Sequence, residues 1–351
     1  MPPRILFVHQ QTLGLRHDAV VLAKALRMAL SSPEIFSLEV PGRAITSHDL
    51  SLEMPNSLRS LLPFDAVFFF EHLYANYPFT APFFCRRRIY IPNVEWITSS
   101  DEEAIATFPM DAVFYKNAFT ANIVETLGTA HRVPLRIITG WTSVDLATRQ
   151  PRCGTASDFT TFLHVRGVSV QKQTNAVIQA WLENPDFPQL TVVATMRDGF
   201  EVPVALRATP NLEIVCRRLS TQELRELQKK QGVHICPSEA EGFGHSLNEA
   251  RSCAAVLITT DGPPMHDFVI PGVTGMLVEV FNHNIGTFNR SKAFRVTPES
   301  LARTVRDVLN MTVEDRIAMG LGARRQYLLD KSSFEANIIR LFSVGGALAI
   351  T

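Results

Sequence analysis

GVHICPSEAEGFGHSLNEARSCA, Gly232 to Ala254, changes character twice within a short span. GVHICP is an apolar run of strand size, SEAEGFG is a loop with two glycines, and SLNEARSCA has the composition of a helix. Glu241 and Glu249 stand on either side of the Gly-Phe-Gly turn, with seven residues between them. Gly242 and Gly244 have no Cβ, so the backbone there can come close to a ligand. The first amides of the helix, at His245, Ser246 and Leu247, have no intrahelical acceptor and suit an anion such as a diphosphate. Glu241 can accept from sugar hydroxyls, and Glu249 can take two ribose hydroxyls side by side. The same letters also fit a surface loop with glycines for its turn and two solvated glutamates.

Outward from this stretch, short apolar runs alternate with amphipathic ones. In the first half the strands expected are Arg4–Val8, Asp65–Phe70, Arg88–Ile91, Asp111–Tyr115 and Leu135–Thr139, with helices over Arg16–Leu30 and Ala118–Leu127. A polar stretch broken by Pro151 and Gly154, Ala147 to Asp158, reads as a linker. The alternation restarts with Phe159–Val165 and runs to Ala255–Thr260, and beyond Pro298 the pattern is helical. Strands that alternate with helices favour parallel sheets covered on both faces. The expectation is an α/β chain of two Rossmann-like domains, 1–150 and 151–330, with a final segment, 331–351, that returns to the first domain. Ligands in such sheets sit outside the carboxyl ends of the strands, so the loops after strands carry the function.

The bulk numbers narrow the class. The chain has 351 residues, 46% hydrophobic and 19% charged, as a soluble globular protein has. Lys+Arg 34 against Asp+Glu 34 leaves no net charge, which argues against a nucleic-acid partner. No apolar run reaches membrane-spanning length. The five cysteines are scattered without a C-x-x-C pair, which points to reduced thiols, a cytoplasmic location and no zinc site.

The segment PSEAEGFGHSLNEA resembles the E-x7-E signature of retaining, nucleotide-sugar-dependent glycosyltransferases of the GT-B fold, family 4 in particular. The resemblance implies two Rossmann-like domains facing a central cleft that closes over the substrates. It also implies a donor site made by Glu241, Gly242, Phe243, Gly244, His245, Ser246, Leu247 and Glu249. A second segment, FLHVRGVSVQKQTNAVIQAW (Phe162 to Trp181), supports it, with Arg166 and Lys172 on one loop. Two cations there would neutralise a diphosphate as it leaves, and in the resembled family an Arg and a Lys play that part. Gln173 stands where the family often has glycine, a difference that bears on loop geometry more than on charge.

The first half is also similar to the family. HQQTLGLRHDA is similar to the glycine loop under the donor sugar, with Gly14 its one glycine, and FEHLY puts His72 where the family often has a sugar-contacting histidine. Asn93, Glu95 and the GWTSVDL segment are candidates for an acceptor site or for loop packing. The Pro263–Pro264 turn either shapes the donor pocket or only connects. Arg217 and Arg218 either add to the nucleobase side or are solvated. CRRRIY, Cys85 to Tyr90, is either a basic patch for anionic lipid, giving peripheral contact with the inner face of a membrane, or a row of solvated arginines.

Absences complete the expectation. No D-x-D occurs, so the diphosphate charge falls to Arg166, Lys172 and the helix terminus, with no metal and no cofactor beyond the donor itself. G-x-S-x-G, G-x-G-x-x-G and the P-loop pattern are missing as well. The resemblance implies transfer of a sugar, with retained configuration, to an unidentified acceptor hydroxyl in glycan or glycoconjugate synthesis. A non-catalytic nucleotide-sugar-binding protein and a GT-B isomerase or phosphorylase are the alternatives.

Overall fold

The computed structural model describes residues 1–40, 55–73, 85–107, 110–126, 133–148, 157–167, 169–194, 209–281 and 284–349. The chain divides into two compact units. The first is Met1–Ser143 with Asn289–Ser291 and Asp330–Thr351, and the second is Val144–Phe288 with Lys292–Leu329.

In unit 1 the order is β1 (Arg4–Gln10), α1 (Leu13–Ala29), β2 (Glu34–Val40), α2 (Asn56–Arg59), β3 (Phe64–Phe70), β4 (Cys85–Ile91), α3 (Ser99–Thr107), β5 (Ala112–Tyr115), α4 (Ala118–Thr126) and β6 (Leu135–Ile138). The six strands form one sheet in the order β2-β1-β3-β4-β5-β6, and every pairing is parallel. β1 and β3 are apolar almost throughout because both of their faces are buried, and Leu6, Val8, Val67 and Phe69 join one core cluster. Strand β2, EIFSLEV, has no continuous apolar run to announce it. It lies at the sheet edge with several residues partly or fully exposed, so its apolar and polar letters mix.

Unit 2 repeats the scheme: β7 (Asp158–Gly167), α5 (Thr174–Leu182), β8 (Leu190–Ala194), β9 (Leu212–Val215), α6 (Thr221–Lys230), β10 (Gln231–Cys236), α7 (His245–Ser252), β11 (Val256–Thr260) and β12 (Gly275–Val278). Its sheet order is β12-β11-β10-β7-β8-β9, again all parallel. Trp181 and Phe162 meet edge to face at 5.3 Å in its core beside Val233 and Leu301. A two-stranded sheet, β13 (Ile285–Phe288) and β14 (Ser291–Phe294), follows, then α8 (Pro298–Leu309) and α9 (Val313–Phe342).

α9 passes without a break from unit 2 into unit 1. In unit 1 its later turns set Phe334 against Trp141, ring centroids 4.8 Å apart, and Asn337 Nδ2 donates to the Thr139 carbonyl at 2.9 Å. The helix stops at Phe342, three residues ahead of Gly345 and Gly346. Of the stretch expected as a linker, residues 149–156 lie outside the described residues, and Leu146–Thr148 form a 3₁₀ turn. No helix among the described residues is long and apolar enough to cross a membrane.

Candidate functional site

The strand order of unit 2 places its crevice. From β7 the chain winds outward through β8 to β9, and from β10 it winds the other way through β11 to β12. β7 and β10 are neighbours, so the connections that leave their carboxyl ends diverge and open a gap between them, the position where doubly wound sheets bind ligands. The two stretches singled out by sequence lie at those two connections, Lys172 in the turn after β7 and Pro237 to Gly244 after β10, but Arg166, expected on the loop with Lys172, lies on β7 itself because the strand runs on to Gly167.

They meet at Lys172, the last residue of a 3₁₀ turn over Val170–Lys172. Its ammonium donates to Ser246 Oγ at 3.0 Å, to Ser238 Oγ at 3.2 Å and to Glu241 Oε1. Ser238 Oγ also donates to Glu241 Oε1, at 2.6 Å. Burial disfavours the charged amine, but Glu241 beside it outweighs that and holds the Lys172 pKa above the ordinary lysine value. The end of β10 is pinned by neighbouring hydroxyls: Thr259 Oγ1 donates to the Cys236 carbonyl and Thr260 Oγ1 to the Ser238 carbonyl, each at 2.8 Å. A lysine, a glutamate and two serines from two loops and the first turn of α7 thus converge at the switch point.

α7 starts directly after the Gly-Phe-Gly turn. Gly244 caps it with φ 99°, a left-handed angle that strains any side chain, and a Cβ there would sit 3.2 Å from Leu247 Cδ1. Leu247, expected in the donor site, sends its side chain into a core cluster with Ala250, Leu257 and Met265, so only its backbone amide faces the turn's role. Phe243 is likewise buried, its ring edge-on to Phe268 at 5.5 Å and to His245 at 5.4 Å. These two apolar side chains brace the turn. Glu241 lies just ahead of the turn, Gly242 opens it, and Ser246 and Glu249 lie on the helix. Glu249 Oε2 accepts from Gln228 Nε2 on α6 at 2.9 Å, a partner 21 residues away that no local pattern announces.

Arg166 is buried next to the last residue of β7. His164, on the same strand, feels both cations. Burial first, then Lys172 and Arg166, push its pKa down to about 4, against the hydrogen bond to Ile235. Its neutral ring donates Nδ1–H to the Ile235 carbonyl at 2.8 Å and accepts at Nε2 from Thr174 Oγ1 at 2.9 Å.

Unit 1 has its own reversal, between β1 and β3. Gly14, expected in a loop, lies inside the first turn of α1, because Thr12 caps the helix with its Oγ1 accepting from the Leu15 amide. His72 follows β3 and is buried; its Nδ1 is 2.9 Å from Asp101 Oδ2 and its Nε2 is 3.6 Å from Glu71 Oε1. Burial opposes the imidazolium, but Asp101 and Glu71 together raise the His72 pKa above its ordinary value. Glu71 holds a left-handed φ of 70°, which costs a non-glycine residue about 1–2 kcal/mol. Burial drives its pKa upward, against the pull of His72, Asn93 and Lys116.

Beside it runs a chain of buried polar groups. Asn93 Nδ2 donates to Glu71 Oε2 at 2.8 Å, and Lys116 Nζ donates to Asn93 Oδ1 at 2.8 Å and Asp18 Oδ2 at 2.5 Å. Trp141 Nε1 donates to Asp18 Oδ1 at 2.6 Å. Asn93 and Trp141 were candidates from sequence. Asp18, Asp101 and Lys116 were not, since nothing in the local pattern pairs residues so far apart. Glu95 is buried, and its carbonyl accepts from Asn289 Nδ2 at 2.6 Å.

The basic run on β4 is matched by acids: Arg86 lies 3.6 Å from Asp65, and Arg87 and Arg88 lie 3.7 and 4.0 Å from Asp111. Arg217 pairs with Glu223 at 2.8 Å on the surface. Cys85, Cys216, Cys236 and Cys253 are free thiols.

Residues 205–288 match the family described as glycosyl transferases group 1. The fold of the chain is that of the GT-B glycosyltransferase structures it resembles. Among solved structures the chain is similar to a glycosyltransferase from Rickettsia africae ESF-5, with 13% identity over 97% of this chain and 96% of that one and a TM-score of 0.66. HepE of Anabaena, solved with UDP and glucose, shares 14% identity over 96% of this chain and 98% of its own, TM-score 0.62. WaaG, a glycosyltransferase involved in lipopolysaccharide biosynthesis, shares 14% over 95% and 99%, TM-score 0.60. No curated protein matches by sequence.

Proposed function

We propose that the chain transfers a sugar, with retention of configuration and without a metal ion, from a nucleoside-diphosphate sugar to an acceptor hydroxyl. The observation that carries this is the placement of Lys172, held on Glu241, Ser238 and Ser246 where β7 and β10 diverge and α7 begins. HepE, similar in fold, was solved with UDP and glucose, which supports a UDP-sugar as the first donor to try.

In this reading the diphosphate lies over the first amides of α7, with Lys172 and Arg166 beside it. The bond between the anomeric carbon and the diphosphate oxygen breaks, and its electron pair leaves with the phosphate. The acceptor oxygen bonds to the same face of the oxocarbenium-like sugar. Its proton passes to the departing phosphate oxygen, so no side-chain nucleophile is needed. Glu241 accepts from sugar hydroxyls, Glu249 accepts from the ribose, and His72 is assigned a contact with the transferred sugar. Unit 1 takes the acceptor, and the setting is glycan or glycoconjugate synthesis at the cytoplasmic face of a membrane.

Nucleotide release from a panel of UDP- and GDP-sugars, with and without EDTA, tests this. Release that persists in EDTA and is lost in Glu249→Ala and Lys172→Ala, both still folded, is the expected result. Nucleotide binding with no release in any condition would make the protein a non-catalytic binder.

A further inference from the structure

Between Lys172 and α5 stands Gln173, with φ 49° and ψ 36°. A glycine would adopt this left-handed conformation without strain, whereas a glutamine adopts it only where something else compensates. The side chain supplies that. Gln173 Nε2 donates to the Pro237 carbonyl at 2.5 Å and to the Phe294 carbonyl at 3.1 Å, and its Oε1 accepts from the Val296 amide at 2.9 Å. Its main-chain carbonyl meanwhile accepts from the Ala176 and Val177 amides at the start of α5.

These bonds join three segments. The Glu239 amide donates to the Gln171 carbonyl at 2.9 Å, and the Phe294 amide donates to the Glu239 carbonyl at 2.7 Å. Pro237 immediately precedes Ser238, and Ser238 and Glu241 both hold the Lys172 ammonium. One side chain therefore ties the turn that carries the lysine to the loop that carries the lysine's partners, and ties both to the end of β14. With glycine the backbone strain disappears, but two carbonyls and an amide lose their partner. Asparagine tolerates the left-handed angle well, yet is one methylene too short to span all three groups.

We propose that Gln173 is a positioning residue that fixes the Lys172 ammonium against the Ser238–Glu241 loop and so sets it for the departing diphosphate. The functional half of this rests on the donor-site reading above; the structural half does not.

Reductive methylation of the ligand-free full chain with formaldehyde and borohydride, read lysine by lysine by mass spectrometry, tests the structural half. In Gln173→Gly and in Gln173→Asn the Lys172 rate is expected to rise at least about fivefold as the turn opens locally, while the rate at buried Lys116 in unit 1 stays at the wild-type value. An unchanged Lys172 rate in Gln173→Gly overturns the proposal. So does an equal rise at Lys116, which marks general loosening, or wild-type behaviour in Gln173→Asn, which marks backbone conformation as the whole role.

UDP release from UDP-glucose tests the functional half. In both variants kcat is expected to fall about tenfold with KM within about twofold, since a displaced cation weakens the transition state more than the bound donor. A KM rise without a kcat loss overturns positioning for departure. If wild-type protein binds none of UDP, GDP or ADP by calorimetry, the donor-site reading fails, and the labelling rates still decide whether Gln173 holds Lys172.

Discussion

Each unit reverses the winding of its sheet once, at β1/β3 in unit 1 and at β7/β10 in unit 2, and polar side chains gather at both reversals. They gather differently. At β7/β10 the lysine, glutamate and serines come from two loops and the first turn of a helix, and Lys172 and Glu241 keep 16% and 15% of their side-chain surface exposed. At β1/β3 the charged pair Lys116–Asp18 is 1% and 2% exposed and is tied in by Asn93, Glu71 and Trp141, drawn from five separate stretches of chain. The first arrangement can exchange a carboxylate for an incoming phosphate. The second is closed on itself, a polar core that fixes the strand ends around it. The contrast predicts that breaking the first costs activity and breaking the second costs stability.

The largest effect is expected in unit 1. Lys116→Met leaves the Asp18 carboxylate buried without its cation, and removing one partner of a buried pair costs about 3–5 kcal/mol. Urea unfolding of a Trp96→Phe/Trp181→Phe background, which leaves Trp141 as the sole tryptophan, measures it by fluorescence, with loss of the native signal at a lower midpoint. A cost below about 1 kcal/mol would mean that the pair is not what holds the ends of these strands together.

Next comes Lys172→Ala. Losing one preorganised donor to a developing negative charge costs about 100- to 1000-fold in kcat, about 2.7–4 kcal/mol of transition-state stabilisation. Nucleotide release should fall by that factor while the melting temperature stays near that of wild type. A variant that loses stability instead would place Lys172 with the unit 1 pair and erase the distinction between the two reversals.

This contrast also explains what the letters of the sequence disclosed. The unit 2 site was legible because its parts are contiguous: strand, glycine turn and helix in one stretch, and both cations in another, Arg166 at the end of β7 and Lys172 in the turn after it. Even there, side-chain direction was not legible. Leu247 and Phe243 lie within the motif but face the interior, because a helix that begins on a buried turn must send one side of its first turn into the core. In unit 1, His72 was legible as a polar residue after an apolar strand. Asp101, which holds it, sits 29 residues away on α3, whose polar and apolar residues do not sort cleanly onto two faces. Edge strand β2 escaped notice because its letters mix, and the start of α1 because the cap at Thr12 matters more to helix onset than the apolar spacing that follows.

The two units also differ in how stability responds to pH, which gives smaller tests of the comparison. In unit 2, His164 and His234 are both held neutral by burial, with pKa values pushed down to about 4. A histidine whose folded pKa lies below its unfolded value of about 6.5 makes the folded state lose stability as pH falls between those two values. The difference amounts to about 3 kcal/mol for each ring by the time pH 4 is reached. In His164→Gln one such ring is gone, so the slope of unfolding free energy between pH 6 and 4 should be shallower by the contribution of that ring, up to about one proton per unfolding event. An unchanged slope would mean that His164 is already protonated in the folded protein, against its acceptor role toward Thr174.

In unit 1 the sign is opposite, and the effect is the smallest. His72 has a folded pKa above its unfolded one, so its ion pair with Asp101 contributes fully below about pH 6.5 and is lost as pH rises through the folded value. Glu71, whose pKa burial also raises, adds to the same trend, because the folded protein resists ionising it. Asp101→Asn keeps the shape of the contact but removes its charge. The variant should show a flatter stability profile above pH 6.5 than wild type, by about 1.5 kcal/mol, the low end of the scale for a hydrogen bond to a charged group. A histidine NMR titration locates the cause: the His72 resonance should titrate lower in Asp101→Asn than in wild type. If His72 instead titrates unchanged, the ring owes its proton to Glu71, and the strained left-handed residue rather than the helix aspartate is what sets the charge at the unit 1 reversal.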